Sequence, residues 1–177
     1  MFVETGHLQP PKHMDDETLS RIKALIPQVL DSLGVRFGAS HTELKIDDSG
    51  SIKLIECGAR MGGDCIGSDL VYLSRGIDFV QAVTEVACGE KPALEPVREG
   101  RISAIRFIFN QQELECFENI KAQHSENIYR QSEILPIDGR QISDSSTRYG
   151  FYILTADSMD KMQDILRKSG LDESYFD

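Results

Sequence analysis

Two glutamates occupy corresponding places in two adjacent segments of alternating polarity. Glu43 lies in the segment HTELKI and Glu56 in the segment SIKLIEC, separated by a turn sequence Asp-Asp-Ser-Gly. We expect the segments to form a hairpin, and a loop that pairs Asp47 with Ile52 places Glu43 opposite Glu56. A slip of one residue would put the two carboxylates on opposite faces of the hairpin.

Facing carboxylates favour a bound metal ion. Side chains directly opposed across antiparallel strands lie about 5 Å apart, where like charges destabilise the sheet. Magnesium removes that repulsion, and it prefers one or two carboxylates together with phosphate oxygens and water. The alternative is that Lys45, Lys53 or Arg60 neutralises the pair at the surface.

Arg60 and the glycines that follow it extend this pattern towards phosphate chemistry. A guanidinium four residues beyond Glu56 is suited to bind a phosphoryl or acyl-phosphate oxygen through two hydrogen bonds. The sequence Met61-Gly62-Gly63 lets backbone amides approach a ligand, because glycine has no side chain to obstruct them.

The surrounding periodicity predicts the elements that hold this segment in place. Asp15 or Asp16 is expected to cap the first helix, and Pro27 inside it predicts a kink or a division into two pieces. A strand is expected near Phe2 and Val3. The other predicted elements are helices from Asp16 to Gly34, from Asp78 to Gly89 and over 158–169, and strands over 36–46, 51–57, 101–109, 113–118 and 150–155.

The hairpin prediction also fixes neighbours of the glutamates. In the expected register Lys45 opposes Leu54, and Ile52, Leu54 and Glu56 share one side of their strand.

The composition excludes several classes of protein. Hydrophobic residues make up 40% of the 177 and charged residues 27%, so a folded core is expected, and no apolar run approaches the ~20 residues that cross a bilayer. The net charge of −10 argues against nucleic-acid binding but not against nucleotides, since a metal ion can lie between carboxylates and phosphates. The four cysteines lack zinc-like spacing. We expect a soluble, cytoplasmic protein with no nucleic-acid or membrane partner.

The residues around the glutamates carry a family resemblance. The stretch HTELK…GSIKLIECGARMGGD…SRGIDFVQAVTEVACGEKP resembles the C-terminal half of an ATP-grasp ligase, and is most similar to bacterial L-amino-acid ligases of the dipeptide-synthase type. The resemblance implies an α+β fold: residues 1–95 as the C-terminal, metal- and phosphate-binding part of the ATP-grasp domain, with an antiparallel sheet and flanking helices, and residues 96–177 as a small C-terminal α+β lobe. Arg148-Tyr149-Gly150 precedes a strand of that lobe, for which we expect a packing role.

The resemblance also implies roles for the central residues. Glu43 and Glu56 would hold Mg²⁺, or Mn²⁺, against the phosphates of ATP, and Arg60 would steady the transferred phosphate. Gly63 would supply a backbone amide to the same oxygens. Many ATP-grasp enzymes carry a further metal ligand, Asn, where this chain has Gly58.

Three residues match the substrate end of such a site. Glu4 and His7, in VETGH, match an acidic residue and a histidine, and either His7 or Glu4 could orient or deprotonate the incoming amine. Asp64 falls where the family shapes the amino-acid pocket, although a helix N-cap is its competing role. His41 is expected to be a structural strand residue.

The resemblance further implies which partners the chain needs. ATP-grasp enzymes close on ATP with a preceding lobe, and residues 1–177 contain no segment like it, so we expect a missing N-terminal lobe and an inactive isolated chain. The substrates would be an amino acid or other carboxylate and an amine, and a homodimer is left open. Alternatives are a carbamoyl-phosphate-synthase-like or biotin-carboxylase-like enzyme, or a non-catalytic partner subunit.

Overall fold

Antiparallel strands and flanking helices make up the described part of the chain, which confirms the predicted α+β class. A computed structural model describes residues 3–12 and 14–170. Its helices are α1 (Asp16–Ser32), α2 (Val71–Arg75), α3 (Phe79–Ala87), α4 (Gln111–Gln123) and α5 (Met159–Lys168); its strands are β1 (Gly6–Gln9), β2 (His41–Ile46), β3 (Ile52–Gly58), β4 (Ile102–Ile108), β5 (Ile128–Gln131) and β6 (Gly150–Ala156). Among the described residues, no helix combines the length and apolarity needed to span a membrane.

The described residues form two compact units that alternate along the sequence. We call residues 3–12, 73–76 and 98–170 the sheet unit, and residues 14–72 and 77–97 the hairpin unit. The first residues join the sheet unit because β1 pairs with β4, about a hundred positions later. The predicted lobes, 1–95 and 96–177, stay a prediction.

The sheet unit is a four-stranded antiparallel sheet in the order β1-β4-β6-β5, packed against α4 and α5. The inner strand β4, which lies between β1 and β6, is buried over six of its seven residues. Phe117 of α4 stacks on Tyr152 of β6 with ring centroids 4.6 Å apart. Ser158 caps α5, whose residues Met162, Ile165 and Leu166 face the core.

Two predictions for the sheet unit were wrong. Residues 113–118, predicted as a strand, lie inside α4, because the residues buried there, Glu113, Cys116, Phe117 and Ile120, follow helical spacing. Asn110 caps this helix by accepting a hydrogen bond from the amide of Glu113. The N-terminal strand begins at Gly6, later than Phe2 and Val3; Phe2 lies outside the described residues.

The hairpin unit begins with α1, which is one helix despite Pro27. The predicted kink or division was wrong. Proline removes the amide that would bond to the carbonyl of Lys23, but Lys23 and Pro27 both lie on the exposed side of the helix, where water can hydrate that carbonyl. Asp15 caps α1 as predicted, and its carboxylate accepts a hydrogen bond from the amide of Thr18 at 2.7 Å.

The rest of the hairpin unit connects the strands to α3. A π-helical turn, Ile66–Leu70, leads into α2, of which residues 73–75 belong to the sheet unit. Asp78 caps α3 through the amide of Gln81 at 2.9 Å, as predicted. Gly89 follows α3 in the left-handed region, with φ of 79°, which agrees with its predicted role at the helix end.

Candidate functional site

The hairpin of β2 and β3 places Glu43 directly opposite Glu56, as predicted. The route to that register differs from the prediction. Ile46 pairs with Ile52 and Leu44 with Leu54, so the loop is one residue longer than expected and Lys45 opposes Lys53, not Leu54. A bulge between Leu44 and Glu43 then adds one residue to β3 and restores the glutamate pairing.

The bulge also separates an apolar face from a charged face. Cross-strand partners share a face, so Leu54 lies with Leu44 and Glu56 lies with Glu43 on the other side. The prediction that Ile52, Leu54 and Glu56 share one side was therefore wrong, because the bulge reverses the alternation after Leu54. As a result, the two carboxylates lie on one face, and the leucine pair lies on the other.

Basic groups flank both carboxylates without enclosing them. The Nε2 atom of His41 lies 3.5 Å from Oε1 of Glu43, and Nη2 of Arg60 lies 3.9 Å from Oε1 of Glu56. The glutamate side chains remain 42% and 60% exposed. Their carboxylate oxygens therefore stay accessible to a ligand from solution.

The loop after β3 places Arg60 and the glycines beside this pair. Nη1 of Arg60 donates to the carbonyl of its neighbour Met61 at 2.8 Å. At Gly62 a Cβ atom would lie 2.9 Å from Nδ1 of His41, so only glycine allows this approach. At Gly63 a Cβ atom would meet no described atom within 4 Å, and the space there is open.

Asp64 continues this loop in a rare backbone conformation. Asp64 and Cys65 have φ angles of 49° and 60°, in the left-handed region that non-glycine residues seldom adopt. Cys65, not Asp64, holds the cap position of the π-helical turn that follows. The roles predicted for Arg60, Gly63 and Asp64 stay predictions.

The donor set fits a metal ion only in part. In residues 3–12 and 14–170, no group of three or more His, Cys, Asp or Glu side chains is arranged to hold a metal ion by itself. Two opposed carboxylates supply part of a shell, which fits Mg²⁺ because that ion completes its coordination with phosphate oxygens and water. Glu43 and Glu56 are thus suited to an ion that arrives with a phosphate ligand.

Glu4 and His7 belong to the sheet unit. His7 lies in β1 opposite Ile105, with its ring edge-on to Phe107 at a centroid distance of 6.0 Å. Glu4 precedes β1, and its Oε2 atom accepts a hydrogen bond from Nη2 of Arg148 at 3.1 Å. Sequence reasoning missed the contact with Arg148, because 144 positions separate the partners and no local pattern connects them.

Comparison with known proteins identifies the domain. Residues 1–69 match the ATP-grasp domain family. This segment is similar to an ATP-grasp domain. The family resemblance expected from the sequence is therefore confirmed, and the facing glutamates and the loop to Asp64 lie inside the matched segment.

A curated relative and several solved structures resemble this chain. Alanine–anticapsin ligase of Bacillus subtilis is 30% identical over 92 residues, which cover 52% of this chain and 19% of the relative. The chain thus spans about a fifth of the length of that relative. L-amino acid ligase from Bacillus licheniformis superposes with a TM-score of 0.72 and 24% identity, over 95% of this chain and 43% of that one.

Two further structures share the ATP-grasp fold at lower identity. Phosphoribosylglycinamide synthetase from Anaerococcus prevotii has a TM-score of 0.72 and 20% identity, over 92% of this chain and 42% of that one. Carboxyaminoimidazole ribonucleotide synthase from Aspergillus clavatus, complexed with ATP, has a TM-score of 0.62 and 15% identity, over 93% of this chain and 41% of that one. These likenesses confirm the fold, an antiparallel sheet with flanking helices.

Proposed function

We propose that this chain supplies the metal- and phosphate-binding part of an ATP-dependent carboxylate–amine ligase. The observation that carries the proposal is the opposition of Glu43 and Glu56, with Arg60 beside them. The relative joins alanine to anticapsin by its name, and a ligase of this type would join an amino acid or other carboxylate to an amine. Gly58 stands where many ATP-grasp enzymes have a further metal ligand, which leaves the two glutamates as the metal ligands.

In the proposed reaction a carboxylate oxygen of the first substrate attacks the γ-phosphorus of ATP. ADP leaves, and an acyl phosphate remains. The nitrogen of the amine then attacks the acyl carbon, the amide forms, and inorganic phosphate leaves. The nitrogen loses a proton in this second step. Most of the acceleration would come from positioning and from charge neutralisation, as in other phosphoryl transfers.

Each candidate residue has a place in this scheme. Mg²⁺, when bound by Glu43 and Glu56, would neutralise charge on the phosphates of ATP. Arg60 would donate hydrogen bonds to the oxygens of the transferred phosphate, and the amide of Gly63 would contribute at the same oxygens, since the space beside it is open.

The amine substrate would be handled by other residues. The carboxylate of Glu4 is suited to bind an ammonium group, and the imidazole of His7 is suited to orient the amine or accept its proton. Asp64 would shape the amino-acid pocket next to the phosphate site.

We also propose that the 177 residues need a further ATP-grasp lobe for turnover. The solved ligase that they resemble over 95% of their length is more than twice as long, since they cover 43% of it. A metal ion held by the two carboxylates, together with Arg60, would bind the phosphates of ATP but would leave its base and sugar without contacts.

The test is magnesium-dependent release of ADP, screened over amino acids singly and in pairs. It is applied to the 177-residue chain and to the longest polypeptide that its gene encodes. ADP formed by the longer polypeptide only with a particular pair of amino acids is the expected result. ADP formed with bicarbonate alone would favour a carboxylase-like reaction and overturn the proposal. Product formation by the 177 residues alone would overturn the need for a further lobe.

A further inference from the structure

The buried guanidinium of Arg148 makes two hydrogen bonds to a single residue, Glu4. The side chain of Arg148 is 4% exposed, and its Nη2 atom donates to the backbone carbonyl of Glu4 at 3.0 Å and to the carboxylate of Glu4 at 3.1 Å. Because one nitrogen binds both groups, it fixes the position of the Glu4 backbone and the direction of its carboxylate together. The side chain of Glu4 is 54% exposed, so its carboxylate can also be approached by a ligand from solution.

The same guanidinium lies over an aromatic ring that His7 also contacts. The guanidinium carbon of Arg148 is 3.6 Å from the centroid of Phe107, within the range of a cation–π contact. The ring of His7 meets Phe107 edge-on, at an interplanar angle of 85°. Phe107 is therefore shared by Arg148 and His7, and Arg148 contacts Glu4 directly.

The backbone that carries Arg148 is held by the core of the sheet unit. The amide of Tyr149 donates to the carbonyl of Ile108 at the end of β4, at 2.9 Å, and β6 begins one residue later. A guanidinium anchored in this way loses little further freedom when it binds Glu4. Glu4, by contrast, precedes β1 and is exposed, so its side chain would rotate freely without this partner.

We propose that Arg148 is a positioning residue for the amine substrate: it orients the carboxylate of Glu4 directly and the imidazole of His7 through Phe107. This inference rests on the proposed function, which assigns Glu4 and His7 to an amine-bearing substrate. A ligand ammonium would meet the exposed side of the Glu4 carboxylate, while the buried side stays bound to Arg148. Arg148 itself contacts no substrate in this scheme.

The kinetic test compares variants of the longest polypeptide, with the amino-acid pair that the ADP screen identifies. R148K keeps the charge but loses the planar group that stacks on Phe107. We expect R148K to raise the KM of the amine-donating amino acid about 10- to 100-fold, with the KM of ATP unchanged. E4Q, at an exposed position, should raise the same KM. In the double variant the R148K effect should shrink, because Arg148 acts through Glu4.

Arg140 provides a matched control in the same unit. It pairs with Asp138 at 2.8 Å, and its guanidinium lies 4.8 Å from the ring centroid of Tyr149. R140K therefore removes the same kinds of contact without touching Glu4 or Phe107. If R148K and R140K change the KM of the amine-donating amino acid equally, or if the effects of R148K and E4Q simply add, the positioning role is wrong.

A second readout separates this inference from the proposed function. The Cε1–H signal of His7 in the 177-residue chain, assigned with the variant H7N, depends on the orientation of Phe107. We expect R148K to move this signal and leave those of the other histidines in place, whereas R140K moves none. An unmoved His7 signal would overturn the positioning role. If no substrate pair yields ADP, the ligase proposal fails, and the His7 signal still decides whether Arg148 orients this cluster.

Discussion

Glu43 and Glu56 face each other across β2 and β3 because a bulge at Ile55 adds one residue to β3. Had the pairing of Leu44 with Leu54 continued regularly, Ile55 would oppose Glu43 and the glutamates would lie on opposite faces. Ile55 is largely exposed, so the extra residue fills no place in a core. The bulge thus places two like charges opposite each other. This arrangement does not stabilise the hairpin itself.

The first prediction concerns the free energy of unfolding with and without magnesium. Because opposed like charges destabilise a sheet, E56Q should stabilise the metal-free chain by about 0.2–1 kcal/mol. The loss of the weak contact between Glu56 and Arg60 makes this gain in stability smaller. Millimolar Mg²⁺ should stabilise the wild type but not E56Q, since binding to the folded state adds to stability. Urea unfolding in EDTA and in Mg²⁺ measures both effects.

A matched control for E56Q is E118Q, which removes an exposed carboxylate from the sheet unit. Its response to Mg²⁺ should equal that of the wild type. Equal Mg²⁺ responses in E56Q and E118Q would remove Glu56 from the metal site.

The second prediction concerns Arg60 and rests on the proposed function. Lysine at this position keeps the charge but cannot make the bidentate hydrogen bonds of a guanidinium. We therefore expect R60K to lower kcat about 100- to 1,000-fold and to change the KM of ATP only slightly. Its side chain is exposed, so the free energy of unfolding should stay the same. The control is R36K, which alters an exposed pair with Asp31. Turnover by R60K equal to that of R36K would show that Arg60 does not contact the transferred phosphate.

The predicted pairing of Glu43 with Glu56 is correct because two differences between the predicted and the observed hairpin cancel. The carboxylate of Asp47 accepts hydrogen bonds from the amides of Ser49 and Ser51, and this places Asp47 in the loop and not in β2. The longer loop shifts the register by one residue, and the bulge at Ile55 shifts it back. Period-two alternation reveals which residues face together over a few positions, but it carries no signal for a bulge in an exposed strand.

Other parts of the fold depend on contacts that lie far apart in sequence. Strand β1 is defined by its pairing with β4, and Arg148 contacts Glu4 across 144 positions of sequence, so neither leaves a local pattern. In α4 the short alternation around Cys116 resembled a strand, and only the longer window that includes Ile120 shows helical spacing. Caps were predicted well, because Asp15 and Asp78 act within three residues of their own positions.

The third prediction concerns pH and the buried carboxyl of Glu113. Burial raises the pKa of Glu113 above its usual value, although the amide of Phe109 donates to it at 2.7 Å. The folded chain therefore binds this proton more tightly than the unfolded chain does. The stabilising contribution is complete below the ordinary pKa, near pH ~4, and is lost as the pH rises through the raised pKa of the folded state.

Replacement by glutamine removes that titration. The free energy of unfolding of the wild type minus that of E113Q should therefore decrease as the pH rises from about 4, which urea unfolding at a series of pH values measures. E115Q, which removes an exposed carboxylate from the same helix, is the control for the general effect of losing a negative charge. A difference that grows with pH would mean that hydrogen bonds to the charged form outweigh the burial of Glu113.

The fourth prediction concerns a close backbone approach at Gly76. Its φ is +71°, and a Cβ atom there would lie 2.0 Å from the carbonyl oxygen of Arg98, far inside contact distance. Gly139 has a similar φ of +76°, but a Cβ atom there meets no described atom within 4 Å. Both glycines belong to the sheet unit, so the pair separates the cost of the left-handed conformation from the cost of the clash.

G139A should lower the free energy of unfolding by about 1–2 kcal/mol, the cost of a left-handed alanine. G76A should lower it by at least ~4 kcal/mol, because the segment around Arg98 must also move away. That movement would break the hydrogen bond from the amide of Arg101 to the carbonyl of Leu73, 2.8 Å in the native chain, at the entry to β4. Urea unfolding of the two variants gives both values. Equal losses would mean that the backbone at Gly76 does not lie against residue 98.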